Sequence, residues 1–137
     1  MELKQIDHIG IAVHSLEESI PLYRDVLGLP LLSIEDVVSE QVRVAFFQIG
    51  EVRIELLEPL SEESAIAKHL ATRGEGFHHI AYRVEKIERS LGTAQEKGIK
   101  LIHTNPKLGA HQAQIAFLHP KSTGKVLTEL CQPAKKE

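Results

Sequence analysis

The chain has 137 residues, 42% of them hydrophobic and 26% charged, with a formal net charge of -3. That length builds one domain, able to bury roughly two thirds of the unfolded chain's surface, and the mild negative charge excludes the basic field that nucleic acid or an anionic membrane requires. A lone cysteine, Cys131, excludes an internal disulfide; no apolar run approaches the ~20 residues of a membrane span, and Met1 to Asp7 lack the apolar core of a secretory signal, so a cytoplasmic protein is expected, with no nucleic-acid or membrane partner.

The first predicted strand runs from about Gln5 to Val13, with Ile9, Ile11 and Val13 on one face and His8, Gly10 and Ala12 on the other. Ser15 with Glu18 three residues on is a capping-box pattern. It starts a helix with an apolar stripe of Leu16, Ile20, Tyr23 and Leu27, and Gly28 ends it. Pro21 lies inside that helix, where the missing N–H costs about 3 kcal/mol, so a bend is expected there. Three strands follow, near Leu31 to Val38, Gln41 to Ile49 and Val52 to Leu57, the last two joined by a tight Gly50-Glu51 turn. Ser61 to Arg73 reads as a linker helix capped by Ser61 and stopped by Gly74. The same order then repeats, with a helix from about Glu85 to Lys97 and strands near Lys100 to His103, Gln112 to His119 and Lys125 to Cys131. Gly109 and the stretch from Pro120 to Gly124 read as loops.

The repeat is visible residue by residue. Asp7-His8-Ile9-Gly10-Ile11-Ala12-Val13 falls on His78-His79-Ile80-Ala81-Tyr82-Arg83-Val84 at an offset of 71, and Leu16, Glu17, Ser19 and Ile20 continue onto Ile87, Glu88, Ser90 and Leu91. After a one-residue slip at Gly28 over Gly98, Arg43 to Phe47 lies over Gln114 to Leu118, again at 71. Glu55, Leu56 and Pro59 lie over Glu129, Leu130 and Pro133 at 74, so the last hairpin of the second half carries three extra residues. The chain is one strand-helix-three-strand module used twice: module one about 1–60, a linker helix about 61–74 and module two about 75–137, together one domain.

The duplication copies a histidine in the first strand and a glutamate in the last strand of each module: His8 and Glu55, then His79 and Glu129. Alternation puts all four on the face opposite the apolar residues that pack on the helices. Singly, a strand histidine is more often a hydrogen-bonded structural residue, and a strand glutamate a solvated charge. Four of them at equivalent points form a mixed nitrogen and oxygen set suited to zinc, cobalt, nickel, manganese or iron rather than to thiolate-rich structural zinc. His78 points the other way and reads as structural or as a support behind a ligand. His14, His69, His103 and His119 have no duplicated partner and default to surface or packing roles, while His111 sits in a loop within possible reach of a ligand.

Asp7 to Val13, Ile54-Glu55-Leu56-Leu57-Glu58-Pro59-Leu60, Gly76-Phe77-His78-His79-Ile80-Ala81, Lys107 to Ala110 and Phe117-Leu118-His119-Pro120-Lys121-Ser122 resemble the methylmalonyl-CoA epimerases of the glyoxalase-like, or vicinal oxygen chelate, superfamily over nearly the whole chain. The resemblance implies an α+β fold in which two tandem βαβββ modules form a half-closed mixed β-barrel with a central metal site. It implies metal ligands at His8, Glu55, His79 and Glu129, one divalent ion (cobalt first, with zinc, nickel or manganese as alternatives), a methylmalonyl-CoA substrate and a homodimer. It also implies a catalytic carboxylate at Glu40 working opposite Glu129. Several members of that family carry Gln at the second ligand position. Glu55 departs from them and adds one negative charge, which weakens the ion as a Lewis acid.

The activity so implied is the interconversion of the (R) and (S) forms of methylmalonyl-CoA by α-proton removal and return. A metal-dependent glyoxalase I, or lactoylglutathione lyase, shares the His, Glu, His, Glu order and is the rival reading; Glu40 and the Lys121 loop favour the epimerase. A binding or drug-resistance protein of this fold needs no complete ligand quartet. A ring-cleaving dioxygenase uses two His and one carboxylate with open positions, and Glu55 is one donor too many.

Overall fold

Both predicted βαβββ runs form in a computed structural model that describes residues 1–135. Contacts group the chain into two units, residues 8–78 and residues 1–7 with 79 onward.

In the first unit the elements are β1 (Gln5–Ala12, from His8 on), α1 (Leu16–Pro21), β2 (Leu31–Val37), β3 (Val42–Ile49), β4 (Val52–Pro59) and α2 (Ala65–Arg73). The strands lie in the order β2-β3-β4-β1. The two hairpins are antiparallel, and β1 runs parallel to β4 with His8 opposite Arg53 and Gly10 opposite Glu55. One face packs Ala45, Phe47 and Leu56 against Leu16 and Ile20 of α1, each large side chain contributing about 1.5–3 kcal/mol by its burial.

The second unit holds β5 (Gly76–Arg83, from His79 on), α3 (Ile87–Glu96), β6 (Lys107–Leu108), β7 (Gln114–Leu118) and β8 (Thr128–Gln132). Their order is β5-β8-β7-β6, with β5 parallel to β8 and β7 antiparallel to it. Ile87, Leu91 and Ala94, spaced as one stripe of α3, pack on Val84, Ala116, Leu118 and Leu130. Asp7, 1% exposed, accepts two bonds at Oδ1 from the Arg83 guanidinium at 3.1 and 2.8 Å.

The helix starts show how far the duplication extends. Ser15 Oγ accepts from Glu18 N at 3.2 Å, as the capping box predicts. Leu16 N also donates to Glu58 Oε1 at 2.9 Å, from the end of β4. In the second unit Ser15 is replaced by Lys86, which gives no side-chain cap, but Ile87 N donates to Gln132 Oε1 at 2.9 Å. Glu58 and Gln132 are 74 positions apart, the offset that also relates the last strands.

Several expectations are corrected. The bend at Pro21 is a π-helical turn over Leu22–Val26, closed by Leu27 N to Leu22 O at 2.9 Å. Proline has no N–H for the carbonyl four residues back, and its ring crowds that carbonyl, so the helix widens by one residue. The linker helix starts later than predicted: Ser64, not Ser61, is its cap, with Oγ accepting from Ile66 N at 3.1 Å. Gly74 stops it, at φ 78. The helix expected from Glu85 to Lys97 is confined to Ile87–Glu96, and the last strand starts at Thr128 instead of Lys125, because Pro120–Ser122 forms a 3-10 turn and Lys125 is left-handed. No continuous strand forms at Lys100 to His103. Leu101 makes an isolated bridge to Leu118, His103 Nδ1 takes the Phe117 N–H at 3.1 Å, and ladder pairing resumes only at Lys107. Pro106 cannot donate to a ladder, so the edge is broken there.

Candidate metal centre

In the first unit the parallel register sets His8 of β1 beside Arg53 of β4, and strand alternation puts Glu55 on the same face as Arg53. His8 Nδ1 lies 3.2 Å from Glu55 Oε2, with both side chains almost fully buried. The Arg53 guanidinium approaches the same Oε2 at 3.3 Å and lies over the Phe46 ring, 5.9 Å from its centroid. Phe46 is directly opposite Glu55 in the β3–β4 ladder and is fully buried.

The second unit repeats the arrangement. His79 Nε2 lies 3.4 Å from Glu129 Oε1, both side chains 5% exposed. Phe117 is opposite Glu129 in the β7–β8 ladder and meets the His79 ring edge-on at 5.5 Å. The position two before Glu129, occupied by arginine before Glu55, is Leu127. Ala113, Ile115 and Cys131 cluster with Phe117 apart from the helix-facing core, so β7 and β8 bury apolar side chains on both faces.

Each unit therefore joins one predicted imidazole to one predicted carboxylate. A carboxylate this buried needs a compensating cation or donors, and an imidazole beside it supplies a neutral nitrogen ligand. This donor chemistry fits a hard-to-borderline divalent ion.

Glu40 is placed differently. It ends a 3-10 turn, Val38–Glu40, ahead of β3, and the left-handed Gln41 that follows (φ 54) donates both its N–H and its side-chain amide to Val38 O at 3.1 and 3.0 Å. In the second unit the turn Ala110–Gln112 ends in Gln112, also left-handed at φ 57, with His111 where the first has Glu40. Strand patterning cannot reveal such turns, since neither glutamine is a residue type that favours positive φ.

His14, His69, His78, His103 and His119 make the packing and surface contacts expected of them. His78 and His69 meet edge-to-face at 5.0 Å, and burial, aided by the neighbouring His69, pushes the His78 pKa down to about 4. Burial also lowers His69. His103 and His119 accept backbone N–H bonds at Nδ1 from Phe117 and Lys121, and His14 is exposed, its backbone N bonded to Glu75. Arg53, the two opposed phenylalanines and the Glu58 and Gln132 caps were not singled out by sequence reasoning. The offset of 74 from Glu58 to Gln132 was a signal for the last pair.

A sequence model of the Glyoxalase/Bleomycin resistance protein/Dioxygenase superfamily matches residues 7–117. The ethylmalonyl-CoA/methylmalonyl-CoA epimerase of Cereibacter sphaeroides is 38% identical over 93% of this chain and 97% of its own length. Two solved structures superpose with a TM-score of 0.94: methylmalonyl-CoA epimerase from Mycobacterium tuberculosis, 35% identical and covering 97% of this chain and 90% of that one, and a methylmalonyl-CoA epimerase in complex with methylmalonyl-CoA and NH4+, 37% identical and covering 99% of both. A probable lactoylglutathione lyase of Synechocystis is more distant, at 29% identity over 95% of this chain and 96% of its own.

Proposed function

The chain belongs to the Glyoxalase/Bleomycin resistance protein/Dioxygenase superfamily and, within it, to the methylmalonyl-CoA epimerases, and on that premise we propose that it interconverts (R)- and (S)-methylmalonyl-CoA by removing and returning the α-proton. The observation that carries this reading is the duplicated pair of buried imidazole and carboxylate, His8 with Glu55 and His79 with Glu129. Its residues span one domain, module one about 1–60 and module two about 75–137 joined by the linker.

His8, Glu55, His79 and Glu129 would hold one divalent ion: two nitrogen and two oxygen donors suit cobalt, zinc, nickel and manganese alike, and cobalt is placed first on the chain's membership of the family. When bound, such an ion supplies Lewis-acid stabilisation, worth several kcal/mol, of the negative charge that develops on the thioester oxygen. The α-carbon lies between a carboxylate and a thioester carbonyl, so its proton is acidic enough for a side-chain carboxylate to take. Inverting the centre calls for proton carriers on opposite faces, and Glu40 and Glu129 are the proposed pair, each acting as base in one direction and as acid in the other. Glu129 thus has two duties, while Glu40 stands outside the duplicated set. We assign the protein to the cytoplasm because its single cysteine, Cys131, allows no internal disulfide, and a homodimer on its membership of the family.

The test is to incubate the protein with one epimer of methylmalonyl-CoA in deuterated water, and separately with the methylglyoxal-glutathione adduct. Epimerisation with deuterium gained at the α-carbon, and no lactoylglutathione formed, is expected. Turnover of the glutathione adduct alone would move the protein to the lactoylglutathione lyases.

A further inference from the structure

Glu55 is a place where the site departs from an exact doubling, because Arg53 stands two positions before it and beside its carboxylate, where the residue two before Glu129 is Leu127. Arg53 reaches Glu55 through three independent constraints. It is the parallel-register partner of His8 on β1. It precedes Glu55 by two residues and so shares its face of β4. Its guanidinium rests over the Phe46 ring, and Phe46 is itself the cross-strand partner of Glu55. The side chain is 22% exposed, the carboxylate 6%. A guanidinium held over an aromatic face in a mostly buried setting is fixed in direction as well as in charge.

The oxygen it contacts matters. Glu55 Oε2 is the atom that faces both His8 Nδ1, at 3.2 Å, and Arg53, at 3.3 Å. Any cation held by the His8–Glu55 pair competes with Arg53 for the electron density of that oxygen. A divalent ion with Glu55 and Glu129 alone would be electrically neutral. With Arg53 included, the cluster regains a charge of one positive unit, the charge it would have with an uncharged ligand at position 55 and no arginine. The second unit has Leu127 at the matching position.

We propose that Arg53 is a positioning residue that forms one functional unit with Glu55: it orients the carboxylate and withdraws the charge this ligand adds, so that a glutamate serves where a neutral ligand would otherwise be required. This rests on the metal-dependent reading above. It links the two residues, so that neither can be exchanged alone without changing the cation affinity and the electrophilicity of the site.

The experiment is a double-mutant cycle on the full-length protein: parent, Arg53→Leu, Glu55→Gln and the double variant. Metal-free protein is titrated calorimetrically with Mn2+, and turnover of methylmalonyl-CoA is measured on the loaded forms. Arg53→Leu should bind Mn2+ about three- to ten-fold more tightly yet turn over at least about ten-fold more slowly, a combination that loss of folding or of packing does not produce. Glu55→Gln, which leaves the arginine uncompensated, should bind Mn2+ at least about ten-fold more weakly. The double variant carries the parent's net charge and should lie nearer the parent than either single variant in both measurements. Arg53→Lys, which keeps the charge without the planar fork, should restore most of the Mn2+ affinity of the parent. Additive effects, or Arg53→Leu within two-fold of the parent in both readouts, would overturn the coupling while leaving the metal reading intact. A parent protein that takes up no Mn2+ would overturn both.

Discussion

In residues 8–78 the buried carboxylate Glu55 has an arginine two positions before it, and the turn ahead of the neighbouring strand ends in Glu40. In residues 79–135 the matching Glu129 has Leu127 and His111 at those places. What the halves share is an imidazole 3.2–3.4 Å from a carboxylate and a phenylalanine across the ladder from that carboxylate. On the reading proposed above, duplication would keep the donors an ion needs and let go of what would act on one face of a substrate or adjust one ligand. The symmetric residues should therefore fail alike when altered, and the asymmetric ones should not.

The largest effect is expected where the halves are equal. His8→Ala and His79→Ala should each reduce metal content from one ion per chain to background by elemental analysis, and each should lower thermal stability as chelation of the parent does, since a ligand bound only by the folded state stabilises it. Full metal content in either variant would remove that histidine from the site and break the equivalence.

Next comes the sharpest asymmetry. Glu40→Gln should keep metal content and folding while cutting turnover by about 10²- to 10⁴-fold, the range for a lost general base. The mirror-image change, His111→Gln, should alter turnover only a few-fold. A Glu40→Gln protein within a few-fold of the parent would leave Glu40 the role of a partly buried turn residue.

These comparisons also show why the sequence was readable in some places and not in others. The two buried histidine–glutamate pairs were legible because a repeat turns four weak signals into one strong one, and most strands followed from alternation. Arg53 was not legible, because a search for likeness between halves passes over a residue whose counterpart is Leu127. The split edge in residues 101–108 came from Pro106 and from the His103 side chain replacing a ladder bond, effects of tertiary contact. The linker helix had serines at both 61 and 64, each able to cap, and only packing decided between them. Ser64 is buried and capping; among the described residues Ser61 Oγ has no hydrogen-bond partner.

A third contrast lies in the phenylalanines. Phe46 is fully buried beneath Arg53, whereas Phe117 is only partly buried between His79 and His103. Phe46→Ala should cost about 3–5 kcal/mol in chemical denaturation, and Phe117→Ala roughly half of that. Equal costs would mean that the contact with the two imidazoles compensates for the smaller burial.

The smallest expected effect tests the helix starts, where the halves differ by one additional cap. Leu16 N has Glu58 as its acceptor, and one residue earlier Ser15 caps Glu18 N, so α1 has two side chains satisfying its first turn. The first turn of α3 has Gln132 on Ile87 N and no side-chain cap from Lys86. An unsatisfied N-terminal donor that cannot reach water loses the benefit of its bond, typically about 1 kcal/mol. Gln132→Ala should thus lower stability by about 1 kcal/mol, seen as a fall of roughly 3 °C in the melting temperature for a chain of this size. Ser15→Ala should cost less, because the Glu18 N–H it releases is exposed and can turn to water, and Ser15→Ala with Glu58→Ala should cost about the sum of the two single changes, since the two caps serve different donors. The bond to Ile87 crosses 45 residues of chain and ties the end of β8 to the start of α3. Gln132→Ala should therefore also speed amide exchange in the first turn of α3, whereas Ser15→Ala should leave exchange in α1 little changed. Equal protection losses in the two helices would show that the exposed Ser15 bond matters as much as the partly buried Gln132 bond.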